Sequence, residues 1–194
     1  MPGEVSESEV DSPMGGALPG GVPLGNGLTL LTTEDAALTN GLADIPTGLT
    51  VDAQPLELRC ELLLAGNPGT EILTRTLTAV ASLVAAQPEA YPLQPGTVIP
   101  MIGARAHLSR SITVRHGVFV PPFMWGGQSP HMTEQPGDVH THGASASSRL
   151  GRMTVLLQIL MVTDAELNLI ESSGAAGLID QLLSANTDLM DWTR

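Results

Sequence analysis

Lysine is absent from this chain, cysteine occurs once, and aromatic side chains make up only 3% of it. Each scarcity excludes something. A lone Cys60 rules out an internal disulfide and any zinc site built from several cysteines. With so few aromatics, the interior must be filled by aliphatic side chains, for which a 42% hydrophobic content suffices. The 8 basic residues, all arginine, face 20 acidic ones, giving a net charge of −12 and a pI near 4.5. Nucleic acid and anionic membranes both demand a basic surface, so neither is an expected partner. An acidic surface can draw in a basic protein over long range, although many soluble proteins are acidic simply to stay dispersed. No apolar stretch approaches the roughly 18 charge-free residues of a spanning helix. The opening "MPGEVSESEVDSPM" is acidic where a signal peptide is basic and then apolar, which predicts a cytoplasmic location.

Catalytic signatures are equally scarce. The chain has no Walker loop, no Gly-x-Gly-x-x-Gly after a strand and no Gly-x-Ser-x-Gly elbow. No enzyme activity and no cofactor are expected. Cys60 lies in "LELRCELLL", where alternation turns it inward with Leu56, Leu58 and Leu62 as a buried structural thiol.

Residues 1 to 27 are rich in Gly, Pro, Ser and acids and lack periodicity, which predicts a disordered tail ahead of a folded domain over 28–194. "LTLLTTEDAALTNG" holds a short strand or helix. Leu56 to Leu62 reads as a strand whose opposite face, Glu57, Arg59 and Glu61, is expected to be solvated. Leu73, Leu77, Val80 and Val84 follow the buried stripe of a helix over Thr70 to Ala86, which Pro88 stops. "SITVRHGVFV" alternates as a strand, with His116 in the apolar register, up to Pro121-Pro122. The stretch from 123 to 151 reads as one long irregular loop containing Trp125.

That loop carries His131, His140 and His142. A His-x-His pair on extended chain can aim two imidazoles at one metal, and Glu134 or Asp138 could add an oxygen. The flanking "GDV" and "GASASS" are poor rigid supports for such a site, so no metal is expected there. The apolar run Met153 to Val162 ends abruptly at Thr163-Asp164, a place where enzymes often put catalytic groups. Thr163 and Glu166, however, have the Thr-x-x-Glu spacing of a capping box, and Asp164 suits the first turn of a helix. Gly174 is placed to end that helix, with a second one following through Leu178, Ile179, Leu182 and Leu183. The junction reads as a fastening.

This last segment, "MVTDAELNLIESSGAAGLIDQLL", resembles the C-terminal part of the suppressor of fused-like domain. In that family an apolar strand enters a "PITDAE"-like turn, then a short helix, a glycine and a Leu-rich helix. Met161-Val162 stands where the family often has Pro-Ile or Pro-Leu. "GLADIPTG", "LELRCELLLA", "PLQPGTVIP" and "HGVFVPPF" are similar to further family stretches, in the same order, from about Gly41 to Leu183. The resemblance implies a mixed α/β (α+β) domain with a central sheet flanked by helices, no enzyme activity, and function by protein binding. The eukaryotic member holds a transcription-factor peptide, and many bacterial members look like immunity proteins that neutralise toxins. The expected function is therefore a protein-binding domain, an immunity protein masking a basic toxin domain. The alternatives are a metal-dependent hydrolase built on His131, His140 and His142, and a secretion-associated chaperone or adaptor.

Overall fold

Two strands are apolar enough to lie at the middle of a sheet covered on both sides, and they lie next to each other. A computed structural model describes residues 22–25, 28–51, 54–125, 129–135 and 150–194. Among these, eight strands form one sheet: β1 (Val22–Gly25), β2 (Leu28–Thr32), β3 (Ala36–Asn40), β4 (Leu56–Ala65), β5 (Val98–Ile99), β6 (His116–Val120), β7 (His131–Glu134) and β8 (Gly151–Val162). Seven of them run in the order β1-β2-β3-β4-β8-β6-β5, and the eighth, β7, also pairs with β8. β4 and β8 pair in parallel, from Leu56 opposite Gly151 to Leu64 opposite Ile159, and every other pairing is antiparallel. The sheet is mixed and helices pack on it, as the α+β expectation requires.

Alternation along β8 sends side chains to two separate cores. Leu157, Ile159 and Met161 join the larger one, with Cys60, Leu62 and Leu64 of β4 and with α1 (Thr70–Ala86). Leu160 and Val162 join the smaller one, with Val118 and Val120 of β6 and Ile170, Leu178 and Leu182 of α3 (Asp164–Ser184). Burial on both faces explains why this strand reads as a continuous apolar run. Helix α1 has the bounds its periodicity predicts, and Leu73, Leu77, Val80 and Val84 are fully buried. A short α2 (Ile102–Arg105) packs beside it.

Three expectations need correction. The tail boundary at residue 27 is too late, because Val22–Gly25 already pairs with β2 across Gly25 and Leu28; residues 1–21 lie outside the described residues. The strand expected from Ser111 begins only at His116. Thr113 and Val114 give their N–H groups to the Trp192 carbonyl instead of to a strand, so the alternation before His116 reflects loop packing. The stretch from 123 is not all loop. β6 occupies the edge of β8 only at Gln158 to Val162, and β7 takes the free length at Arg152 to Val155. β7 forms on hydrogen bonds that β8 offers, with three of its four side chains exposed, so it leaves no hydrophobic periodicity.

Candidate functional site

The strand-to-helix junction is built as follows. Thr163 has extended backbone (φ −79°, ψ 170°), and its hydroxyl accepts from the Glu166 amide at 3.3 Å. The Glu166 carboxylate accepts in return from the Thr163 amide at 2.7 Å. Two helix-end donors are thus satisfied by each other's residues. The sequence did not indicate a third member, Arg194. Its Nε donates to Glu166 at 3.1 Å and its terminal nitrogens to the Met161 and Asp191 carbonyls at 2.6 and 2.8 Å. The ion pair is nearly buried, with the Arg194 and Glu166 side chains 10% and 14% exposed. Before it, the Thr193 hydroxyl and amide hold the Asp191 carboxyl below the usual range, and Arg194 adds to this.

Asp164 is occupied as well. It accepts from His116 Nε2 at 2.8 Å, while His116 Nδ1 accepts the Met101 amide at 3.0 Å. Because Nδ1 must present a lone pair to that N–H, the imidazole proton sits on Nε2. Both ring nitrogens are used, which leaves this buried histidine no free nitrogen to act as a base or ligand.

The charged face of β4 is turned mainly to the chain, with Arg59 buried and Glu57 and Glu61 half-buried. The Glu61 carboxylate accepts from the Thr39 hydroxyl and from the amides of Gly41, Leu42 and Ala43 at 2.9, 3.2 and 3.1 Å. Arg59, only 6% exposed, donates to the Ala43 and Asp44 carbonyls at 3.1 and 3.0 Å and pairs with Glu57 at 2.8 Å. The two side chains therefore hold opposite ends of one 3₁₀ turn, Leu42–Asp44. Arg59 Nε remains buried without an acceptor. The expected solvated face was an error with a visible cue: three charges in the middle of an otherwise apolar strand.

Cys60 is buried as expected. Its Sγ lies 3.6 Å from the Leu93 carbonyl, and burial, helped by Glu61, pushes the thiol up to about 11. His131 and Glu134 lie on β7, three residues apart, so alternation turns them to opposite faces. His140, His142 and Asp138 lie outside the described residues. Among the described residues, no group of three His, Cys, Asp or Glu is placed to hold a metal. No helix there is long and apolar enough to cross a membrane.

The C-terminal part of the chain presents acid. From Met153 to Thr193 there is no basic residue, and of its six acids Asp164, Glu171, Asp180 and Asp188 are exposed. Helix α3 breaks at Gly174 (φ 73°, ψ 171°), and its two halves enclose a cleft of about 380 Å³.

The family model of the suppressor of fused protein (SUFU) matches residues 35–194. The crystal structure of a SUFU homologue from Neisseria gonorrhoeae FA 1090 superposes with a TM-score of 0.55 at 14% identity, covering 86% of this chain and 75% of that one. No curated protein matches the chain significantly. The family model spans most of the sequence and the shared fold agrees with it: the chain belongs to the suppressor of fused family.

Proposed function

We propose that this protein is a non-enzymatic binding domain, an immunity protein that neutralises a basic toxin domain by covering it. What supports the reading is the exposed acid. Arg59, Arg115 and Arg194 donate inward to backbone carbonyls and are matched by Glu57, Glu61 and Glu166, which are held by the chain, while Glu34, Asp35, Glu71, Glu89, Asp164, Glu171, Asp180 and Asp188 are exposed against Arg75, Arg105 and Arg110. The surface therefore keeps the acid excess of the composition, which suits rapid capture of a cationic partner such as a nuclease. Thr163, Glu166 and His116, the groups best placed for catalysis, are engaged in holding the fold.

The test is co-expression with the product of any toxin gene found beside this one. Rescue of growth, together with co-purification of a complex that salt weakens, is the expected outcome. Failure of both rescue and complex formation overturns the reading.

A further inference from the structure

The proposed toxin contact has no location on the molecule so far, and α3 supplies one. Gly174 takes a left-handed φ that interrupts the helix, so its two halves meet at an angle instead of stacking. Ala165 and Leu169 from the first half and Leu178 and Leu182 from the second give the cleft between them an aliphatic floor. Asn168 and Gln181 form its opposite lips, and among the described residues their side-chain amides carry no hydrogen bond. Asp164, which also accepts from His116, and Glu171 lie about one turn either side of Asn168, and Asp180 precedes Gln181 in sequence; all three are exposed. No arginine, lysine or histidine belongs to either half; Arg194 reaches the cleft only through Glu166, which it neutralises.

The geometry points to this cleft as the seat of a partner α-helix with one aliphatic face flanked by arginine or lysine. The inference rests on the binding function proposed above and gives it a place. Two angled helices accept the ridge of a third, whose aliphatic side chains at helical spacing enter the cleft while its cations meet the acidic flanks. The free amides of Asn168 and Gln181 can bond to polar groups bordering that ridge. The same acids repel nucleic acid and anionic lipid.

The experiment uses the full chain, isotopically labelled, and a synthetic helix of leucine, alanine and arginine with leucines at i, i+4 and i+7. A glutamate-for-arginine version of that helix is the control peptide. Expected are amide shift changes confined to Ala165–Ser172 and Leu178–Leu182, with no response to the control peptide. The lip pair Asn168→Arg/Gln181→Arg weakens binding about tenfold or more, while Glu34→Arg, with the same charge change on the distant β2–β3 turn, alters it less than about twofold. Because the lip pair could harm folding, Asn168→Asp/Gln181→Glu is measured too and tightens binding, a gain that misfolding cannot produce. Shifts centred elsewhere, equal damage from Glu34→Arg, or equal binding of the acidic peptide overturns the cleft.

Co-expression separates this inference from the function beneath it. Rescue by the parent and by the arginine lip pair alike removes the cleft and leaves neutralisation standing. No rescue by the parent removes neutralisation, and the peptide titration still decides the cleft.

Discussion

Glu61 does more for the fold than its position in a sequence of leucines suggests. One carboxylate holds three consecutive amides and a hydroxyl, and that hydroxyl, on Thr39, accepts the Leu62 amide at 2.8 Å. Glu61→Gln puts an amide donor against those donors and removes the charge. A loss on the order of 3 kcal/mol is expected from denaturant unfolding, since buried donors lose their acceptor. Cys60 makes a prediction with a sign. Its folded pKa, about 11, lies above the ordinary 9.0, so the native state keeps a proton that the unfolded chain has released. Stability is intact below about pH 9 and declines as pH rises towards about 11, by on the order of 3 kcal/mol at most. Cys60→Ala should flatten that alkaline slope in urea titrations. Legibility at this scale was uneven. Cys60 and the Thr163–Glu166 box could be read because local spacing dictates them. The roles of Arg59, Glu61 and Arg194 could not, because each depends on a carbonyl or amide brought close only by the folded chain.

Elements followed the same rule. Helix α1 and the strands β4 and β8 carry their own periodicity, and their positions were evident from the residues alone. β7 and the first half of the expected strand before Val120 were misjudged, because their backbone partners lie far away, on β8 and at Trp192. The break in α3 was legible from Gly174 and has a measurable consequence. A Cβ there meets nothing within 4 Å, so the penalty for Gly174→Ala is conformational, not steric. At φ 73° and ψ 171°, a region essentially reserved for glycine, it should cost about 1 to 3 kcal/mol, seen as a lower midpoint in thermal unfolding.

At the level of the whole molecule, the last residues lock the sheet. Trp192 is 1% exposed, its indole N–H donates to the Ala65 carbonyl at 3.3 Å, and its own carbonyl receives the Thr113 amide. The ring lies flush against Gly66, where an added Cβ would stand 2.0 Å from the indole nitrogen. Gly66→Ala must therefore displace a packed, hydrogen-bonded ring, and a loss of about 3 kcal/mol is expected in chemical denaturation. The acid-rich composition was the one global property that could be read directly. Which acids stay outward depended on where the arginines went.

The parallel contact of β4 with β8 also governs the order of events during synthesis. When the ribosome has made Leu64, its neighbour Ile159 is still some hundred codons away, and Trp192 and Arg194 emerge later still. Until then the nascent polypeptide carries a greasy ribbon with one flank bare, so production in cells should depend on whatever shelters that ribbon in the interval.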